Sequence, residues 1–345
     1  MKLLICGSEG RMMSATIPFL LEAGHEVIGV DTCEKWGETA VRREYRFVRG
    51  DCSDPAVLRP LLRGIEGVIQ AAATLYGVLG FHRRAADILA DDVAVHQTVL
   101  GVSLAAGVGR VVYMSSSMVY EQCRTEPHQE QDADTAPIPR TDYGLSKLMG
   151  ERLSKAYWKQ YDLPFTIWRP FNVIDPHENG SDDPGVSHVF ADLIHRLIVR
   201  QQNPIEILGD GYQRRSFVHI QEIGKAIAQF SFDPGTLQQT YNLGRNEVVT
   251  IRELAQRIYE KACARGLISN GRPLEFQPRT VPDTDVKRRV GCFGKAEREL
   301  GWKAQISLNQ ALDECLDSFE GRIGLDTSEK RAGEPEVPRA RWAAL

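Results

Sequence analysis

The stretch KLLICGSEGRMMSATIPFLLEAGHEVIGVD, residues 2–31, decides the fold. A short apolar run stops at Gly7, an apolar segment follows until Gly24, and a second apolar run ends at Asp31. The order strand, glycine turn, helix and strand predicts a βαβ unit with parallel strands and a right-handed crossover.

Beyond residue 31 the alternation of apolar segments continues. It predicts strands at 45–48, 67–73, 110–115 and 165–169, and helices at 58–62, 91–106 and 143–161. Strands that alternate with helices favour an α/β fold built on a Rossmann-type doubly wound parallel sheet.

The regular alternation of predicted strands and helices ends after residue 172, where Asn, Gly, Asp and Pro interrupt the apolar segments. We therefore predict a Rossmann domain over 1–172, to which the chain returns later, and a smaller C-terminal α/β lobe over 173–322. Residues 323–345 are polar and contain two prolines. They are predicted to form a tail and are a candidate for disorder.

Composition excludes several classes of function. The 345 residues include 42 basic and 46 acidic side chains, a net charge of −4, whereas nucleic-acid binders usually carry a basic surface. No run of about 18 apolar residues indicates a membrane span. The sequence thus argues against a nucleic-acid partner and against a membrane.

The seven cysteines are scattered and form no C-x-x-C pair. This distribution predicts neither a disulfide framework nor a zinc ribbon, and it fits a reducing compartment. The apolar run at the start is too short for the core of a signal peptide. These features predict a cytoplasmic protein.

The segment Gly7-Ser-Glu-Gly10-Arg-Met-Met13 lies between a predicted strand and a predicted helix. Glycines there let the backbone turn tightly and present N–H groups to a pyrophosphate at the positive end of the helix. Met13 stands where a third glycine would normally permit close packing of helix on strand, so the motif is weakened. Taken alone, the two glycines fit an ordinary turn equally well.

Asp31 favours a dinucleotide site, because it ends the second strand 21 residues after Gly10. A carboxylate at that place can accept hydrogen bonds from both ribose hydroxyls of an adenosine, and it would repel a 2'-phosphate. The alternative is a helix cap or turn residue. Together with the glycines, Asp31 favours NAD over NADP.

Tyr143 and Lys147 lie four residues apart, on one face of a predicted helix. A phenol is a poor base at neutral pH, but a lysine and a positive nicotinamide ring both stabilise the phenolate. Such a tyrosine can exchange a proton with an alcohol while hydride passes to NAD. Ser116, at the carboxyl end of a predicted strand, can hydrogen-bond the same alcohol.

Further segments complete a pattern that runs from Lys2 to about Phe319. They are Gly50-Asp51-Cys52, Gln70-Ala71-Ala72-Ala73, Arg169-Pro-Phe-Asn172-Val, Gly209-Asp-Gly-Tyr-Gln-Arg-Arg215-Ser-Phe and Tyr241-Asn-Leu-Gly244. In this order, the motifs resemble those of extended short-chain dehydrogenase/reductases of the NAD-dependent nucleotide-sugar epimerase/dehydratase family.

The resemblance implies a catalytic triad of Ser116, Tyr143 and Lys147. It also implies an NAD site made by Gly7, Gly10, Arg11, Met12, Asp31, Asp51, Cys52, Ala71, Ala72, Ala73, Asp92, Ser115, Tyr143, Lys147 and Pro170. Asp92 would take the place of an asparagine ahead of the fourth long helix.

For the substrate, the resemblance implies a nucleotide-diphosphate sugar. It would be bound in the C-terminal lobe and at the serine motif by Ser116, Ser117, Asn172 and Arg215. The usual second arginine motif is only loosely recognisable, around Asp285 to Arg289. The helices at 91–106 and 143–161 would pair across a homodimer, although a helix buried within one subunit would have the same apolar stripe.

The reaction depends on the residues beside the tyrosine. A 4,6-dehydratase needs an extra acid and base, a uronate decarboxylase of the family carries a glutamate, and a GDP-fucose synthase or 3,5-epimerase carries a cysteine. Here these positions hold Ser117 and Met118. We therefore predict a 4-epimerase.

Other functions stay open at this stage. Gly80-Phe81 resembles the GDP-mannose 3,5-epimerase branch. A non-catalytic NAD-binding scaffold would explain Met13, and a steroid or flavonoid reductase is a third option. We predict no metal site, because His96, His188 and His219 lack the spacing of metal ligands.

Overall fold

A computed structural model describes residues 1–34, 44–73, 84–182, 185, 187–269, 272–280 and 286–326. In chain order its strands are β1 Lys2–Cys6, β2 Glu26–Asp31, β3 Arg46–Arg49, β4 Gly67–Gln70, β5 Arg110–Met114, β6 Phe165–Pro170, β7 Val173–Ile174, β8 Ile205–Leu208, β9 Arg214–Ser216, β10 Val218–His219, β11 Thr240–Leu243, β12 Val248–Thr250, β13 Phe276–Arg279 and β14 Arg288–Arg289.

The helices flank these strands. They are α1 Arg11–Glu22, α2 Pro55–Leu58, α3 Ala85–Ala105, α4 Asp132–Thr135, α5 Asp142–Tyr161, α6 Val189–Ile194, α7 Ile220–Phe230, α8 Ile251–Ala264, α9 Gly294–Leu300 and α10 Leu308–Asp326. Short 3₁₀ turns cover Arg59–Leu61, Ser117–Tyr120 and Pro234–Thr236, and α6 continues as a π-helical turn, His195–Val199.

Seven parallel strands form the main sheet in the order β11-β6-β5-β4-β1-β2-β3. The order reverses at β1, where β2 lies on one side and β4 on the other. Ligands of open α/β sheets bind at this kind of switch point, outside the carboxyl ends of the strands. The predicted doubly wound Rossmann-type sheet is confirmed.

Two apolar layers enclose this sheet. One includes Leu3, Met13 and Trp168 with α1 and α7, and the other includes Leu4, Val68 and Val111 under α3. Burial on both faces explains why the strand sequences are continuously apolar rather than alternating.

The C-terminal part of the chain forms small sheets with a core of their own. Strand β9 pairs antiparallel with β12 and parallel with β14, while β8 pairs with β13 and β7 with β10. The chain also returns to the main sheet, since β11 forms its edge and α7 packs on α1. Helix α10 runs to Asp326, beyond the boundary predicted at 322, and 327–345 lie outside the described residues.

Helix α3 starts earlier than its sequence pattern indicated, at Ala85 rather than at 91. By length and composition alone it could cross a membrane, with a mean hydropathy of 1.2 over 18 residues. However, it buries Asp92 and His96 and packs against α5. Because such polar groups are costly in lipid, a helix packed inside the protein is the better interpretation.

Gly224 sets how closely α7 approaches α1. A Cβ atom at this position would lie 2.6 Å from the carbonyl oxygen of Ala15, so we expect Gly224→Ala to lower the free energy of unfolding by about 1–3 kcal/mol. Gly101, in the middle of α3, is the matched control. Its Cβ would meet only the Tyr157 hydroxyl, at 3.6 Å, and Gly101→Ala should raise stability by about 0.5–1 kcal/mol. Urea denaturation measures both, and equal shifts would contradict this packing.

Candidate active site

The glycine turn brings two strand ends into close contact. Gly7 has a φ of +81°, and a Cβ there would lie 2.6 Å from the backbone nitrogen of Ala72. Gly10 precedes the first turn of α1 and supplies no side-chain cap to its amides. The absence of a side chain at Gly7 keeps this close approach of the two strand ends possible. Together with the backbone amides in the first turn of α1, which can donate hydrogen bonds, this turn fits a dinucleotide pyrophosphate.

Asp31 lies at the carboxyl end of β2, beside this turn. Its carboxylate accepts hydrogen bonds from the backbone amides of Glu9, at 3.0 Å, and Cys33, at 2.8 Å. The side chain is half-buried, which suits the ribose contact that we predict. Glu9 is buried here and accepts a 2.7 Å hydrogen bond from the Tyr45 hydroxyl, which was not predicted from the sequence.

The residues after Gly10 divide between surface and core. Arg11, a predicted NAD ligand, forms an ion pair with Asp175 and donates to the backbone oxygen of His177. Met12 is half-buried, whereas Met13 is fully buried in the core. Where a third glycine would bring helix and strand together, the Met13 side chain fills the space between them.

The remaining predicted NAD contacts lie at or near the carboxyl ends of the strands. Asp51 follows β3 and accepts from the amide of Ser53, and Cys52 is buried beside Cys6. The alanines 71–73 follow β4 rather than forming its end, because the strand stops at Gln70 and not at residue 73 as predicted. The Gln70 side-chain amide stabilises this segment. Its nitrogen donates to the backbone oxygen of Ala72 at 3.0 Å, and its oxygen accepts from the backbone nitrogen of Ala72 at 3.2 Å.

Tyr143 and Ser116 meet as predicted. Helix α5 starts at Asp142 because the Thr141 hydroxyl accepts the Gly144 amide, which places Tyr143 in its first turn. Ser116 caps the following 3₁₀ turn and hydrogen-bonds the Tyr143 side chain. Burial raises the pKa of Tyr143 to about 12, and the bond to Ser116 partly opposes that rise.

Lys147 lies one helical turn further along α5. Its ammonium donates to the backbone oxygen of Met114 at 3.4 Å and lies 5.6 Å from the centre of the Tyr143 ring. Burial lowers the pKa of Lys147, and the nearby carboxylate of Asp92 opposes this. The pair therefore has the proximity that phenolate chemistry requires.

Asp92 occupies a different place from the one predicted. Because α3 starts at Ala85, Asp92 lies inside the helix rather than ahead of it. It is fully buried and accepts a 2.8 Å hydrogen bond from Ser146 on α5. Its contact with NAD stays a prediction, while its observed effect is to place a negative charge near Lys147 and Tyr143.

His96 was interpreted from sequence as a surface or supporting group, and the structure buries it. Its ring lies 3.2 Å from the Gln70 amide and 3.1 Å from the Tyr113 hydroxyl, which itself donates to the backbone oxygen of Lys147. Burial, then the charge of Lys147, lower the pKa of His96 to about 3. A neutral imidazole thus supports the lysine-bearing turn of α5.

Ser115 and Ser117 flank Ser116 and are both buried. The Ser115 hydroxyl donates to Glu151 at 2.5 Å, so this side chain supports α5 in the present arrangement. Glu151 in turn forms two hydrogen bonds with Arg169, at 2.6 and 2.8 Å. The predicted contacts of these serines with NAD and substrate remain predictions.

The predicted substrate residues of the C-terminal lobe lie together. Asn172, two residues after Pro170, donates its side-chain amide to the backbone oxygen of Ser216 at 2.8 Å. Arg215, next to Ser216 in β9, is in register with Arg289 of the parallel strand β14. The sequence only hinted at Arg289 through a loose motif, and Asp285 of that motif lies outside the described residues.

Met118 lies between the two lobes at this point. It packs on Tyr143 together with Ile88 and Val286, and the Arg289 guanidinium approaches its sulfur at 2.8 Å. Met118 therefore lies next to the tyrosine. Gly80-Phe81, which suggested another branch, lies outside the described residues.

The chain is similar to proteins of known name over most of its length. Over 335 residues the chain is 26% identical to a UDP-glucose 4-epimerase of Corynebacterium glutamicum. The alignment covers 94% of this chain and 97% of that protein. It is 24% identical to a GDP-L-fucose synthase of Sinorhizobium fredii over 329 residues, 93% of this chain and 96% of that one.

Among solved structures, a dTDP-glucose 4,6-dehydratase of Streptomyces venezuelae with NAD bound is similar. It is 25% identical, with a TM-score of 0.80 over 94% of this chain and 98% of that one. The family profile described as NAD dependent epimerase/dehydratase matches residues 3–244. The chain therefore belongs to the NAD-dependent epimerase/dehydratase family and is an enzyme that uses NAD.

Proposed function

We propose that the protein is a nucleotide-sugar 4-epimerase that works through a transient 4-keto sugar. The observation that carries this proposal is the apolar surrounding of Tyr143. Within the described part of the chain, Met118, Ile88 and Val286 form its hydrophobic cluster. The Met118 side chain cannot act as an acid or a base. The side chains around Tyr143 therefore support the oxidation and reduction of one hydroxyl, without a further acid–base step.

The chain's own residues supply the proton-transfer steps of that reaction. Tyr143, as phenolate, accepts the proton of the sugar 4-hydroxyl, while Ser116 hydrogen-bonds the same oxygen. Lys147 stabilises the phenolate electrostatically. NAD held at the glycine turn and Asp31 would supply the reversible hydride acceptor for carbon 4. After the keto sugar turns about its diphosphate linkage, Tyr143 gives the proton back, and no net oxidation results.

Other reactions of the family fit the structure less well. A fucose synthase or 3,5-epimerase would use a thiol where Met118 lies. Cys123 does not replace it, because its thiol hydrogen-bonds Thr125 in the loop that follows the serine turn. Asp92 is the carboxylate whose charge reaches Tyr143, and it is fully buried and bonded to Ser146.

Arg215 and Arg289 supply the charge for a diphosphate. Paired positions of neighbouring strands point to the same side of a sheet, so both arginine side chains leave the sheet on one face. Two guanidinium groups on one face can bind a diphosphate through charged hydrogen bonds. We therefore assign the substrate as a nucleoside diphosphate sugar, consistent with the names of the relatives.

Tyr143→Phe tests the reaction. The variant keeps the ring but loses the proton carrier, so kcat should fall about 100- to 10,000-fold. Turnover of a panel of UDP-, GDP-, dTDP- and CDP-sugars, with products identified by NMR, measures the loss. Tyr157→Phe, further along α5, is the matched control and should stay active. A variant that keeps turnover, or a dehydrated or decarboxylated product from the unmodified enzyme, would refute 4-epimerisation.

Arg215→Met tests the substrate class. Loss of a charged hydrogen-bond donor to the diphosphate should raise KM about 10- to 100-fold, with a smaller change in kcat. The neighbouring Arg214 is half-exposed and pairs with Glu126 at 2.9 Å. Arg214→Met should change KM less than about threefold. Equal effects from both variants would count against the diphosphate role of Arg215.

We also propose that α3 and α5 pair with a second copy of the chain. Only 44% of the apolar 18-residue window of α3 is buried within one copy, and contiguous apolar surface usually marks an interface. We expect twice the chain mass of 38.6 kDa by light scattering. Val93→Lys on α3 should give the monomer, whereas Leu237→Lys, at an exposed apolar site elsewhere, should not. A monomeric unmodified protein would refute the pairing.

A further inference from the structure

Three side chains with the chemistry of metal ligands converge in the loop between the serine turn and α5. They are Cys123, His128 and Asp132, and their ligand atoms lie within 4.8 Å of one another. The loop is separate from the glycine turn and from the Tyr143 site. No metal site was predicted from the sequence, here or elsewhere.

His128 is the residue whose environment calls for a ligand. It is 1% exposed, and within the described part of the chain its Nδ1 makes no hydrogen bond of acceptable geometry, although the backbone oxygen of Thr125 is close enough to act on the imidazole. The other ring nitrogen lies 3.4 Å from the backbone oxygen of Arg288, a long contact. A buried polar atom without a partner costs free energy, and a metal ion would satisfy it.

The geometry around His128 holds the ring in place. Its plane stacks on the Tyr120 ring, with the centres 5.0 Å apart and an angle of 7° between the planes. This stacking fixes the plane of the imidazole within the loop.

Cys123 and Asp132 are half-buried, and the Thr125 side chain lies between them. The Thr125 hydroxyl donates to Asp132 at 2.8 Å and lies 3.1 Å from the Cys123 sulfur. The backbone amide of Gln129 also donates to Asp132, at 2.8 Å. These contacts hold the carboxylate and the thiol on the same side of the loop as the histidine.

We propose that Cys123, His128 and Asp132 bind a zinc ion, with water as the fourth ligand. One sulfur, one nitrogen and one oxygen donor form a set that Zn²⁺ accepts in tetrahedral geometry. Such a site places ligand atoms about 3.5 Å apart, so side-chain shifts of about 1 Å close it. The Cys123 thiol releases its proton to solvent as the metal–sulfur bond forms.

A metal here would stiffen the support of the substrate lobe. The backbone of His128 donates to Val290 and accepts from Cys292, both at 2.8 Å. The loop is thereby joined to the strand segment that carries Arg289. Zinc would tie this segment to α4, whose first residue is Asp132.

Cobalt titration of the full-length protein tests the site. After treatment with a chelator, the protein should bind one Co²⁺ per chain and develop the near-ultraviolet absorption of a thiolate–cobalt bond. Added Zn²⁺ should abolish it. Cys123→Ser should lose the absorption, and Asp132→Asn should weaken binding at least about tenfold. Cys263→Ser, a half-buried cysteine on α8, should behave like the unmodified protein.

Each outcome decides the proposal. It is refuted if the unmodified protein shows no thiolate–cobalt absorption at one equivalent of metal, or if Cys123→Ser retains it. Thermal melting in the presence of chelator checks that the variants fold, because Cys123→Ser should then match the unmodified protein. With zinc added, only proteins that keep Cys123 should gain thermal stability.

Discussion

The buried ion pair between Glu151 and Arg169 is the interaction on which the geometry of the site depends. Both side chains are 1% exposed, and they join α5 to β6 through two parallel hydrogen bonds. Tyr143 and Lys147 lie on the same helix as Glu151, so this contact fixes their position over the sheet. Removal of one partner would leave a buried charge, at a cost of about 3–5 kcal/mol.

The same pair also holds the segment that carries Ser116. Ser115 donates to Glu151, and Arg169 donates to the Tyr120 hydroxyl at 2.5 Å. Ser116 lies between these two anchored residues. Tyr120 then donates to Asn242 of β11 at 2.7 Å, so the network spans β5, β6 and β11. Because every charge has partners, the network can specify one arrangement of serine and tyrosine despite the cost of burial.

Local patterns were enough to predict the sheet, the glycine turn and the tyrosine–lysine helix, because strand runs, turn glycines and helical spacing are short-range signals. The pairing of Glu151 with Arg169 could not be predicted, because the two residues lie in different elements. Neither segment contains a local pattern that indicates the other residue as its partner. The burial of His96 depends on the rotation of α3. The early start of α3 was missed because alanines 85, 86 and 90 favour helix without marking its start.

Charge is distributed in the site in a way that the whole-chain balance does not reveal. The net charge is −4, yet Arg215 and Arg289 are neighbours in register. Because acidic residues elsewhere offset their charge, the net charge of the chain does not reveal this pair of arginines. Because a protein arranges local charge for its ligand and net charge for its solubility, the two quantities are set independently. A pair of arginines on adjacent strands is therefore a stronger sign of an anionic substrate than an overall basic composition would have been.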